Sequence, residues 1–262
     1  AIIAVVAGAR KRAEPVSLRA GRAGVQVGFN RRLVNAGNGH VFMGVNRKGP
    51  AVPWVNVLVA DSTRTGKPLA VLFEHAAHPV IVPHTSKLTS ADFPGAAGKR
   101  IREALGNDVI TVFGQGCGGN INGLPLRSTQ EKAEEAGHRL GEAALKAIKK
   151  SEAIKAETFR VKSARVELPS APLPGRELLA EMMDLEKDKP GRMKQLRRIE
   201  DLLERGEEPP ARRLDAHAVL FGRDLCLTTL PPAPFCHYQL CIHDPAPFHP
   251  PTPLPPPSCH PS

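Results

Sequence analysis

The stretch Leu69–Gly95, LAVLFEHAAHPVIVPHTSKLTSADFPG, decides how the rest of the chain is read. Its opening run, LAVLF, is apolar on both faces and reads as a buried strand. The strand carries Glu74, His75 and His78 toward its C-terminal end, where Pro79 stops regular pairing. Strand ends of this kind are where ligand-binding and catalytic groups gather in α/β proteins. A polar knot, Ser90-Ala91-Asp92, then precedes a helix expected to start at Pro94 and run to Leu105.

Trp54–Ala60 alternates as a half-buried strand. With a turn over Asp61–Lys67 it predicts a hairpin onto Leu69–Glu74. Residues 1–13 read as a helix with Arg10, Lys11 and Arg12 in its last turn. Val16–Phe29 predicts one or two strands broken at Gly21 and Gly24, the second closed by Asn30-Arg31-Arg32. Asn35–Pro53 is rich in Gly and Asn and reads as loop. Val109–Phe113 is apolar and β-branched, the pattern of an interior strand.

Gly114-Gln-Gly-Cys-Gly-Gly-Asn120-Ile-Asn122 follows that strand. Gly114, Gly116 and Gly119 satisfy the dinucleotide-binding spacing, but that fingerprint needs a helix starting on the third glycine. Asn122-Gly123-Leu124-Pro125 stands there instead. The segment is better read as a loop brought close to a bound group, with Gln115, Asn120 and Asn122 as polar contacts. The next helix is expected from Ser128, capped with Glu131, to Lys150. Ala133, Ala136, Leu140, Ala144, Ala147 and Ile148 form its inward stripe.

Further on, Thr158–Leu168 predicts a strand and Glu177–Arg205 a charged helical stretch broken at Pro190-Gly191. Leu214–Leu220 and Leu225–Leu230 predict a last hairpin. From Asp244 the chain is about half proline and cannot build a core. The expected organisation is therefore an α/β domain over residues 1–243, with mixed sheets flanked by helices. An irregular, disordered Pro-rich tail over 244–262 follows.

The net charge of +10 admits peripheral contact with an anionic membrane. Aromatics make up only 4% of the chain, too few to interleave with the cations as a base-stacking surface, so no nucleic-acid partner is expected. Five cysteines, four of them after residue 225, make a poor disulfide framework. The chain opens without Met and without a basic leader, and it is read as the interior of a longer protein.

FEHAAHPVIV, SADFPG and VFGQGCGGNIN, together with AGVQVGFNRRLVNAGNGHVFMG upstream and LFGRDLCLTTLPPAPF downstream, resemble the neutral/alkaline ceramidase family. The similarity runs from about residue 1 to about residue 248. It implies a zinc-dependent amidohydrolase that cleaves the N-acyl amide of ceramide-like lipids, in a secreted or periplasmic setting. His78 takes the position of a zinc ligand, and zinc is the implied cofactor. Asn122 aligns with the serine of the family's glycine loop, a catalytic position. Asp92, Gln115, Asn120 and Arg31 are the substrate-contacting candidates.

The chain departs from the family in three further places. The family's other zinc histidines lie in a His-x-His segment that has no counterpart here. Its glutamate ligand falls at Ala233, and its tyrosine in a segment replaced by the proline tail. Activity is thus in question, and the same scaffold admits a non-catalytic remnant or a module that binds lipid or anion.

Overall fold

The computed structural model describes residues 2–37, 39, 41–230 and 233–243. The tail expected over 244–262 lies outside the described residues. Two units form, the first comprising 2–159, 221–225 and 233–243 of the described residues, the second 160–220 and 226–230.

The first unit starts with α1 (Ile2–Lys11) and is built on a five-stranded sheet. Its strands are β1 (Val16–Gly24), β4 (Trp54–Ser62), β5 (Pro68–His75), β6 (Ile110–Gln115) and β8 (Glu152–Ile154), in the order β6-β5-β4-β1-β8. β4 and β5 pair antiparallel as the predicted hairpin, with Val57 opposite Phe73 and Asn56 opposite Glu74. β5 and β6 pair parallel, joined through α2 (Asp92–Leu105). Parallel neighbours need such a crossover, and α2 supplies it. The alternation of β4 and β5 puts Val55, Val57, Val59, Val71 and Phe73 on the face covered by helix, where all are buried.

The predicted inward stripe of α3 (Gln130–Lys149) meets this face, with Ala133, Ala136, Leu140, Ala144, Ala147 and Ile148 all buried. Burying each large aliphatic side chain contributes about 1.5–3 kcal/mol. The small residues let backbones approach. A Cβ at Gly137 would lie 2.5 Å from both Ala96 Cβ and Phe93 O, and one at Gly141 2.8 Å from Arg100 Cβ. The cap of α3 is Thr129, one residue past the expected Ser128. Ser128 N is committed to Ile81 O at 2.6 Å, whereas Thr129 accepts from Lys132 N.

A second sheet has the order β3-β2-β7, from β2 (Gly28–Val34), β3 (Val41–Asn46) and β7 (Ile121–Gly123). Here the structure corrects three expectations. β1 runs unbroken through Gly21. Arg31 and Arg32 lie inside β2 rather than at its end, with a bulge between Asn30 and Arg32. Part of the expected 35–53 loop is β3, paired to β2. β6 is also an edge strand, not an interior one, and Ile110 and Val112 are 57% and 49% exposed. α2 begins at Asp92, two residues before Pro94. The short helix α6 (Cys236–His243) was not expected at all.

The second unit holds α4 (Arg176–Leu185) and α5 (Pro190–Arg205), which bury Leu179 and Leu196. β9 (Phe159–Leu168), β10 (Arg212–Phe221) and β11 (Leu225–Thr229) form a sheet of order β11-β10-β9.

Candidate active site

β5 delivers His75 and His78 as expected, but to different environments. His75 continues the buried face at 1% exposure. Its Nδ1 lies 2.8 Å from Trp54 O. A carbonyl oxygen only accepts, so Nδ1 carries the proton and Nε2 the lone pair. Among the described residues, that buried Nε2 has no hydrogen-bond partner. Burial holds the His75 imidazole below its ordinary pKa, partly offset by the bond to Trp54.

His78 lies just past the strand and forms a parallel bridge to Asn122. Its backbone N–H donates to Ile121 O at 3.0 Å, and its carbonyl accepts from Gly123 N at 3.1 Å. Its Nδ1 sits 2.8 Å from Gly118 O and 3.0 Å from Ile121 O. Both are acceptors, so Nδ1 carries a proton, and in the neutral ring the lone pair lies on Nε2. This is how metal-binding histidines are commonly prepared, with one nitrogen tied to a carbonyl and the other offered to the ion.

Asn122 is buried. Its Oδ1 accepts from Arg31 Nη1 at 3.3 Å, while Arg31 Nη2 donates to Gly119 O at 2.7 Å. With its oxygen held, the Asn122 amide offers its nitrogen as donor, the polarity that a developing oxyanion needs. His78, Asn122 and Arg31 are thus brought together.

The other candidates are placed differently. Asn120 is buried, and both ends of its amide are taken: Oδ1 accepts from Cys236 N at 2.9 Å and Nδ2 reaches Cys236 Sγ at 3.4 Å. Asp92 is buried and holds the loop that follows His78, accepting from Val82 N at 2.8 Å and Phe93 N at 2.7 Å. Gln115 is exposed at the end of β6, donating to Gly116 O at 3.2 Å.

Sequence reasoning placed Glu74 at the strand end but missed the cluster it forms with Asn56 and Gln239. Glu74 accepts from Asn56 Nδ2 at 2.6 Å and from Gln239 Nε2 at 3.1 Å on each oxygen. Burial pushes its pKa up, opposed by the bonds from Asn56 and Gln239 and by the charge of Arg22. A carboxylate inside an otherwise apolar strand was the signal available. Burial, then Glu74 and Cys236, push the Cys117 thiol up to about 11, which disfavours the thiolate at neutral pH.

The residues present meet zinc only in part. His78 fits as one donor, but among the described residues no three His, Cys, Asp or Glu side chains converge. Catalytic zinc takes about three protein ligands and an open position. Ala233, where the resemblance places a carboxylate ligand, does come to the loop: its carbonyl would be struck by a Cβ at Gly119.

No family model matches the sequence, and no curated protein does. Solved structures match. The neutral ceramidase of Pseudomonas aeruginosa superposes with a TM-score of 0.56 at 15% identity, over 87% of this chain and 42% of that one. The chain has a neutral ceramidase-like fold. A ceramidase complexed with C2 matches 66% of this chain and 28% of its own length, at 17% identity and a TM-score of 0.48. The ceramidase-like portion thus spans less than half of the ceramidase it superposes on. The strand–loop junction at His78 lies within the first unit of this ceramidase-like fold.

Proposed function

We propose that this protein is a ceramidase-like hydrolase of N-acyl amide lipids, with His78 and Asn122 at its reacting centre. The observation that carries this reading is the pairing of a tautomer-fixed His78 with an oxygen-anchored Asn122 on a ceramidase-like fold. In this reading His78 Nε2 would be one donor to a zinc ion. Zinc when bound polarises a carbonyl and lowers the pKa of bound water. Asn122 Nδ2 donates to the amide oxygen as charge builds on it, and Arg31 keeps that amide from flipping. Asp92 shapes the loop after His78, and Gln115 reaches solvent where a headgroup arrives.

The test is release of fatty acid from a fluorescent N-acyl sphingosine analogue. Wild type is expected to hydrolyse it and to lose activity with chelator. His78→Ala abolishes release, and Asn122→Ala lowers kcat by about 10²–10³-fold, the size expected for one oxyanion donor. Release unchanged in His78→Ala would overturn the reading. Ala233 at the glycine loop favours a second reading, a non-catalytic lipid-binding module, for which the analogue binds without release and without regard to chelator.

A further inference from the structure

The peptide unit joining Gly118 to Gly119 is hydrogen-bonded at both ends. Its carbonyl accepts from His78 Nδ1 at 2.8 Å. Its N–H, on Gly119, donates to Pro234 O at 2.8 Å. An amide polarised at its N–H carries more negative charge on its oxygen, so the Pro234 carbonyl strengthens the bond that His78 makes.

Pro234 belongs to a segment that grips the loop on both sides of Gly118. Gln239 Oε1 accepts from Cys117 N at 2.9 Å, and Cys236 N donates to Asn120 Oδ1 at 2.9 Å. Gln239 is itself locked to the sheet, because its Nε2 donates to both oxygens of Glu74 and Asn56 Nδ2 holds that carboxylate from the other side. The chain of contacts runs from β4 and β5 through α6 to Gly118 O, the nearer of the two loop carbonyls that face His78 Nδ1.

We infer that residues 234–239 are a positioning device for His78. Through the Gly118–Gly119 peptide they hold the neutral ring in its Nδ1–H form, with the Nε2 lone pair free. Gln239 is the positioning residue that fastens the device. This deepens the hydrolase reading of His78, yet its test reads the ring and not turnover, so either can fail alone.

The test is 15N NMR of histidine-labelled protein at a pH where the rings are neutral, with His78 assigned by difference against His78→Gln. Wild type is expected to show a protonated-type Nδ1 and an unprotonated-type Nε2. Gln239→Met keeps the bulk but removes the bonds to Cys117 and Glu74, and should move both shifts toward averaged values. Gly137→Ala, which strains the α2–α3 contact instead, should leave them in place. A wild-type ring protonated on Nε2 overturns the proposal. So does a folded Gln239→Met with wild-type shifts. Should Gln239→Met not fold, Asn56→Ala, which frees Glu74, gives the same comparison with a smaller shift in the same direction, and unchanged shifts there overturn the proposal too.

Discussion

His75 and His78 stand three residues apart on one strand exit and meet opposite needs. His75 is neutral and buried, with its pKa held down by burial. Below about 6.5, the ordinary histidine value, the unfolded chain takes up a proton that the folded chain refuses. Stability is therefore expected to fall as pH drops through that value. His75→Phe should flatten this acid limb in urea midpoints measured between pH 7 and 5. Glu74 works from the other side, because its folded pKa is raised. Between about 4.3 and that raised value the folded chain keeps a proton the unfolded one has lost, so the contribution fades as pH rises across the window. Glu74→Gln should remove that slope, whatever it does to absolute stability, and an unchanged slope would contradict the assignment. The sequence alone places two histidines at the strand exit. It did not show which amide of the loop was already spent: Asn120 and Asn122 look alike in GGNIN, and only tertiary contact gives one to Cys236 and the other to Arg31.

At the level of elements, α2 and α3 meet through glycine. A methyl at Gly137 would meet Phe93 O and Ala96 Cβ at 2.5 Å. Gly137→Ala is expected to destabilise by about 1–3 kcal/mol in urea denaturation, the usual cost of overpacking, despite alanine's better helix propensity. A stabilised variant would mean the helices have room to part. α3 and β4 were legible because their apolar positions repeat at 3.6 and 2 residues, and β5 because LAVLF is a continuous apolar run. β3 was not, since Gly and Asn on both sides hide a six-residue run. α6 has no charged face to set a helical period. The edge position of β6 was hidden for another reason: an apolar run records burial in the sequence but not which neighbour provides it. Ile110 and Val112 stand exposed on that edge.

At the level of the whole molecule, the ceramidase-like fold rests on geometry, with 15% identity to the Pseudomonas aeruginosa enzyme. The order of short motifs pointed to it where no curated protein matches. The central claim is that His78 presents Nε2 to zinc. Elemental analysis of zinc per chain, for wild type and folded His78→Ala after dialysis against trace zinc, tests it most directly. The account predicts bound zinc in wild type and its loss in His78→Ala. Zinc in neither protein, or equal zinc in both, would contradict it.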